Sequence, residues 1–256
     1  MKRFILLLLL TTSFASVHTT QLSAASQSED QQTILIASYQ EDVTGDGQKE
    51  EIELKGIRFS QDSMYFHNVW ADIKGPQTKQ WKIVYEGGYE PSLQFNDLNH
   101  NGINDVIFQS AKNESKEMYQ YQFNTLRDEQ LEKIKVPESY TITGKFKPNF
   151  KAALFLDPSK DPIIIDMEHH AAKHIQQGIY NKDGKLMEQT HLVVDSITHL
   201  EPAFISKSKG FGLKSQQQVS GMTRQDKLGT IEALWYFESG KWIKLKQEWK
   251  PSQSMK

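Results

Sequence analysis

The chain has no cysteine among its 256 residues. Disulfide bonds are therefore excluded, and so are thiolate metal sites and a lipid attached through an N-terminal cysteine. A chain of this length that is exported without disulfides must be stabilised by burying a core or by binding metal.

Apolar runs long enough to cross a bilayer are also lacking. The run Phe4–Leu10 is far shorter than the roughly 20 residues that a spanning helix needs. It follows Lys2 and Arg3 and precedes a stretch rich in Ser and Thr, which is the order of a secretory signal. The sequence therefore predicts a secreted, extracellular protein, free or associated with a cell wall. A cytosolic anchor is the alternative.

The processing site is placed by small residues. We predict a signal peptide over residues 1–25, with cleavage after Ala25 and cleavage after Ala15 as the alternative. Residues 26–32 then form a disordered polar leader. The mature chain carries no transmembrane segment.

Blocks of basic charge and the common catalytic motifs are absent as well. The net charge of −2 becomes −4 once the two basic residues of the signal are removed. Mild acidity argues against nucleic acid or an anionic membrane as partner. There is no Gly-x-Ser-x-Gly elbow, no His-Glu-x-x-His order and no phosphate-binding Gly loop. We predict that the protein is not an enzyme.

What the sequence does contain is alternation with a period of two. Ile52–Phe59 alternates apolar with polar residues as a half-buried strand does, and Leu234–Leu245 is typical of a hairpin turning at Ser239-Gly240. Short helices are possible at His169–Gln177 and Thr125–Lys133. The predicted fold class is all-β, with many short antiparallel strands in propeller-like or sandwich sheets and little helix.

A Pro-containing stretch near residue 136 suggests a division. We predict a β domain over residues 33–136, a β-rich C-terminal domain or continuation over 137–250, and a tail over 251–256.

Two Asp-rich segments, 55 residues apart, carry the strongest chemical signal. Each has oxygen side chains at positions one, three, five and nine, a Gly at six and a backbone carbonyl available at seven, which suits a calcium ion with six to eight oxygen ligands. We predict a calcium cofactor held by the following residues: Asp42, Thr44, Asp46, Gln48 and Glu50 in loop 1, and Asp97, Asn99, Asn101, Ile103 and Asp105 in loop 2.

These loops are not EF-hands, because strands rather than helices flank them. Loop 2 has fewer carboxylates, so we expect it to bind calcium more weakly. The alternative is a pair of ordinary Asx-rich turns without an ion.

Both segments resemble the calcium loops of FG-GAP/VCBS-type repeats, which build propeller-like sheets in integrin-like and bacterial surface proteins. The resemblance covers residues 39–110 and includes Gly87–Pro91, a stretch similar to secreted proteins of Bacillus-like bacteria. It implies calcium as a structural ion, a role in adhesion or interaction, and no catalytic centre.

A second possible metal site is a histidine cluster. On a helix, His170 and His174 would share a face, and Glu168 could complete a zinc site with them; His169 and Asp166 lie beside it. A solvated polar turn is the alternative.

The function expected from the sequence is that of a secreted, non-enzymatic, calcium-binding protein with a cell-surface or interaction role. Its partner would be a protein or a cell-wall component. The alternative is a secreted, glycosidase-like hydrolase in which calcium is only a stabiliser.

Overall fold

The computed structural model describes residues 32–128 and 130–252. The predicted signal peptide and nearly all of the predicted leader lie outside the described residues. Within the described ranges no helix is long and apolar enough to cross a membrane.

The described residues form fifteen strands in three antiparallel sheets, and the all-β prediction is confirmed. The first sheet follows chain order: β1 (Ile34–Glu41), β2 (Glu50–Arg58), β3 (Tyr65–Lys74), β4 (Gln80–Asn96), β5 (Asp105–Ala111), β6 (Tyr119–Arg127) and β7 (Gln130–Ile134). The second, in the order β10-β9-β8, contains β8 (Thr143–Lys147), β9 (Lys151–Phe155) and β10 (Ile163–Asp166). The third contains β11 (Val193–Val194), β12 (His199–Ser206), β13 (Gly210–Ser220), β14 (Lys227–Glu238) and β15 (Lys241–Pro251).

Alternation along β2 shows why these segments are strands. Ile52 and Leu54 are fully buried on one face. On the other face Lys55 lies 2.9 Å from the Glu53 carboxylate and 3.0 Å from that of Asp72 on the neighbouring strand. A one-residue slip would exchange the two faces, so the pattern fixes the pairing register.

Strand β4 bends and divides the first sheet into two four-stranded halves. Its residues Gln80–Tyr89 pair with β3, and Tyr89–Asn96 pair with β5, with a register shift after Tyr89. At the bend a side chain on Gly87 would collide with the Phe66 carbonyl oxygen, so only glycine fits there. Each half is an antiparallel meander whose first and second strands are joined by one of the two Asp-rich loops.

Three clusters of buried apolar residues form the core. One lies within the first sheet and is centred on Ile52, and one lies around Phe146 in the C-terminal half. The third packs Ile107 and Phe123 of the first sheet against Leu213 and Trp235 of the third. The predicted division near residue 136 falls between β7 and β8, and this third cluster joins residues from both sides of it.

The finer predictions were mixed. The hairpin at Leu234–Leu245 is confirmed, since Phe237 pairs with Trp242 and Glu238 with Lys241. A helix at Thr125–Lys133 is wrong, because this segment forms the paired strands β6 and β7 and buries Leu126. A short 3₁₀ turn (Glu168–His170) and helix α1 (Ala171–Gln176) stand where a short helix was expected.

Candidate functional site

Loop 1 joins β1 to β2 and is closed by its own carboxylates. Asp42 accepts hydrogen bonds from the N–H groups of Gly45 (2.7 Å) and Gly47 (3.0 Å). Glu50 is fully buried and accepts bonds from the Val43 N–H (2.9 Å) and the Thr44 hydroxyl (3.2 Å). Backbone that lacks sheet partners is thus satisfied by two side chains.

Loop 2 joins β4 to β5 and repeats this arrangement. Asp97 accepts hydrogen bonds from the N–H groups of Asn101 (3.1 Å) and Gly102 (2.9 Å). Asp105 is fully buried and accepts bonds from the Leu98 N–H (2.8 Å) and the Asn99 side-chain amide (2.8 Å).

Equivalent positions therefore make equivalent hydrogen bonds in the two loops. The Asp at position one accepts a hydrogen bond from the N–H at position six. The acid at position nine accepts one from the N–H at position two. The position-three side chain donates to that same acid, from Thr44 in loop 1 and from Asn99 in loop 2. The position-two residues, Val43 and Leu98, are fully buried and anchor each loop in the core. An ordinary Asx turn is closed by a bond across about two residues. The bonds shared by these loops span five to seven residues, which indicates a common loop design.

The two loops also contact each other. A side chain on Gly45 would lie 2.7 Å from Cγ1 of Ile103, so the loop 2 isoleucine packs directly on the loop 1 backbone. Asp46, Ile103, Trp81 and Asp128 are among the residues lining a cleft of about 360 Å³ beside this contact. A change in one loop can therefore reach the other through packing.

A histidine ties loop 2 to the third sheet. His100 Nδ1 lies 3.1 Å from the Phe237 carbonyl oxygen, and its Nε2 lies 2.8 Å from that of Phe211. Its ring also packs on Tyr236, with centroids 4.4 Å apart. Sequence reasoning missed this role, since residue four of such a loop has no assigned ligand function.

Burial sets the electrostatics of loop 2. It raises the pKa of Asp105 to about 6, although the Leu98 N–H and the Thr125 hydroxyl act in the opposite direction. A carboxylate that is costly to ionise in place is stabilised by a neighbouring cation.

The remaining predicted ligands are oriented mainly by backbone amides. Asp46 accepts a bond from the Gln48 N–H (2.8 Å), and Asn101 accepts one from the Ile103 N–H (2.9 Å). The three loop 1 carboxylates do not bring ligand oxygens within 4.8 Å of one another. Elsewhere in the described part of the chain, three ligand atoms do lie within that distance of one another. Calcium binding in these loops remains a prediction.

This group of three ligand atoms joins the short helix to the turn between β13 and β14. His170 Nδ1 lies 3.0 Å from Asp226 Oδ1, and His174 Nε2 lies 2.6 Å from Asp226 Oδ2. The expected pairing of His170 with His174 is present, but Asp226 takes the place that sequence spacing assigned to Glu168. His169 and Asp166 lie outside the group. No sequence signal links residue 226 to this helix, because the contact is made only by the fold.

Comparison with known proteins gives one family match. Residues 140–250 match the model of the YybI C-terminal domain. The expected membership of the FG-GAP/VCBS-type repeats is therefore wrong. Runs of Asp, Asn and Gly are favoured wherever strands are joined tightly, so they do not identify that family.

The other comparisons add little. No curated protein matches the chain. A solved structure of a Bacillus licheniformis rhamnogalacturonan lyase of family PL11 is similar with a TM-score of 0.36 and 13% identity, over 85% of this chain and 34% of that one. The chain thus spans about a third of that enzyme, and the likeness is too low to bear on fold or activity.

Proposed function

We propose that this chain is an exported, non-enzymatic β-protein in which loops 1 and 2 bind calcium as a structural ion. Its role would be an interaction at or near the cell surface, with a protein or a cell-wall component as partner. Export rests on the sequence of residues 1–25 alone.

The observation that carries this proposal is the repeated geometry of the two loops. Both place a fully buried acid at position nine, Glu50 or Asp105, on the inner side of a loop whose Gly at position six turns the backbone. Oxygen ligands at alternate positions around one tight turn are what calcium requires.

Calcium would act on both the charge and the backbone of these loops. It would offset the repulsion between acids in one loop and favour the ionised form of Asp105, which burial disfavours. Because an ion bound only to the folded state stabilises it by mass action, each occupied site contributes about 2.7 kcal/mol at a hundredfold excess over the dissociation constant.

A hydrolase would need two carboxylates at a shared cleft, one of them protonated. Asp157 and Asp161 line a cleft of about 400 Å³ beside Lys160 and Lys244. Hydrogen bonds from the Ser159 N–H and hydroxyl hold the pKa of Asp157 below its usual range, so it is suited to staying ionised rather than to donating a proton. An ionised Asp157 fits only the role of the unprotonated carboxylate, so the hydrolase stays the alternative, and the repeated loop geometry carries the calcium proposal.

The test is thermal unfolding of the protein in EDTA and then in graded calcium, beside the variants Asp42→Asn and Asp97→Asn. Asn loses the charge and one of the two oxygens that accept backbone N–H bonds, so stability in EDTA should fall by about 1–2 kcal/mol, and the calcium response of each variant is measured from its own midpoint in EDTA. Calcium should raise the midpoint of the unmodified chain by about 5–10 °C per site at a hundredfold excess. Each variant should lose its site's share, and magnesium should act poorly.

A matched control is Asp183→Asn in the ordinary turn Asn181–Gly184, where Asp183 is exposed. This variant should keep the full calcium response. If calcium leaves the midpoint unchanged, or if Asp183→Asn loses as much as Asp42→Asn, the loops are plain turns and the proposal fails.

A further inference from the structure

The group formed by His170, His174 and Asp226 is independent of the calcium loops. Its three ligand atoms lie within 4.8 Å of one another. His174 and Asp226 are buried, and 14% of the His170 side chain is exposed. Two imidazoles and a carboxylate are ligands typical of zinc and related divalent metals, not of calcium.

Three structural elements hold these side chains in place. His170 and His174 are one turn apart and so point from the same side of the short helical segment, with ring centroids 5.7 Å apart. Asp226 approaches from the turn before β14, and its carboxylate occupies the space beside the Cα of Gly221, where any Cβ would collide with it. Glycine at residue 221 thus makes room for the carboxylate.

The dimensions suit a four-coordinate ion. Bonds of about 2.0–2.2 Å to a tetrahedral zinc place ligand atoms roughly 3.3–3.6 Å apart. His170 Nδ1 and His174 Nε2 lie 3.0 and 2.6 Å from different oxygens of Asp226, and the three ligand atoms lie within 4.8 Å of one another, so small side-chain movements bring them to these spacings. Three protein ligands would leave the fourth position open to water.

A lysine is paired with the Asp226 carboxylate. Lys173 Nζ donates to Asp226 Oδ1 at 3.0 Å, and 43% of its side chain is exposed. Burial alone would favour the neutral form of Asp226, but hydrogen bonds from His174 and Lys173 hold its pKa well below the usual range. Because nearly half of its side chain is exposed, Lys173 can turn outward to solvent and leave the carboxylate to a cation.

Metal binding requires a lone pair on each imidazole nitrogen that faces Asp226. His170 Nδ1 and His174 Nε2 face the Asp226 carboxylate, and His170 Nε2 and His174 Nδ1 are buried with no hydrogen-bond partner among the described residues. To present a lone pair to a metal, each ring carries its remaining proton on that second nitrogen, and a ring that was charged releases one proton to solvent. Metal-binding histidines usually donate that proton to a partner, so we expect micromolar rather than nanomolar affinity.

We propose that His170, His174 and Asp226 form a zinc-class metal site that fastens the short helix to the turn between β13 and β14, in competition with the Lys173 ammonium group. The site is a second, separate metal centre and takes a different class of ion from that of loops 1 and 2.

The test is titration of the purified protein with Zn²⁺ by calorimetry, and with Co²⁺ by visible absorption. We expect one Zn²⁺ per chain and the intense cobalt absorption of a four-coordinate site. His170→Ala should weaken Zn²⁺ binding by more than about tenfold, because loss of even an outer partner of a metal ligand costs that much. Lys173→Met should strengthen binding, which a purely structural cluster does not predict.

The controls separate this proposal from loss of folding and from the calcium proposal. His169→Ala changes a neighbour outside the group and should leave Zn²⁺ affinity unchanged. Asp42→Asn with Asp97→Asn should abolish calcium binding and keep Zn²⁺ binding. Circular dichroism establishes that His170→Ala remains folded. The proposal is overturned if Zn²⁺ does not bind at one ion per chain, or if His170→Ala binds it as tightly as the unmodified chain.

Discussion

Gly102→Ala tests whether loop 2 is already closed when no ion is bound. Gly102 stands at φ +87°, and a Cβ added there would meet nothing within 4 Å, so the change introduces backbone strain without a collision. A left-handed alanine costs about 1–2 kcal/mol. Lower entropy of the unfolded chain offsets about 0.4–1 kcal/mol of that. We expect a net loss of about 1 kcal/mol.

Urea unfolding in EDTA and in saturating calcium measures this loss. The Gly102 N–H donates to Asp97 at 2.9 Å, a bond within the protein that needs no ion, so we expect the loop to keep this conformation in EDTA. The whole loss should therefore appear in EDTA, and the gain in stability on adding calcium should equal that of the unmodified chain.

Two further variants make the result specific. Gly102→Asn should cost less than Gly102→Ala, because Asn tolerates positive φ. Gly178→Ala, at φ +76° beyond helix α1 and likewise free of collisions, should cost about the same as Gly102→Ala. If Gly102→Ala costs nothing in EDTA and lowers only calcium affinity, the loop is open without its ion and the preformed geometry is refuted.

Three other predictions follow from buried polar groups. Burial raises the pKa of Asp105 to about 6, so the protonated side chain contributes about 3 kcal/mol to the free energy of unfolding measured without metal. This contribution should be present below about pH 4 and lost as the pH rises through about 6. Asp105→Asn should remove this pH dependence from unfolding measured across the range. Trp235→Phe should cost about 2–3 kcal/mol in urea unfolding, because it leaves the buried Ser215 hydroxyl without its 2.8 Å donor, and adding Ser215→Ala should recover about 1 kcal/mol. Tyr85→Phe should keep or raise stability by up to about 1 kcal/mol, since the Tyr85 hydroxyl is buried with no partner among the described residues; a loss above 1 kcal/mol would contradict this.

Short-range sequence patterns predicted most of the fold. The alternation of Ile52 and Leu54 with charged neighbours, and Ser239-Gly240 between aromatic runs, are short-range signals that the sheet pairing obeys. The helix predicted at Thr125–Lys133 was wrong because this segment has few apolar residues. Only its pairing with neighbouring strands decides between helix and strand.

The candidate sites show where sequence reasoning stops. Spacing alone singled out both loops as calcium candidates, because the predicted ligands of each lie within nine residues of one another. It could not place Asp226 beside His174, which is 52 residues away in sequence, or show that Ile103 packs on Gly45. Such contacts depend on the course of the whole chain.

The central claim is that each loop holds one calcium ion, and calcium stoichiometry tests it most directly. Equilibrium dialysis against calcium should give two bound ions per chain, one in Asp42→Asn or Asp97→Asn, and none in the double variant. Absence of saturable binding, or two ions retained by the double variant, would contradict the account.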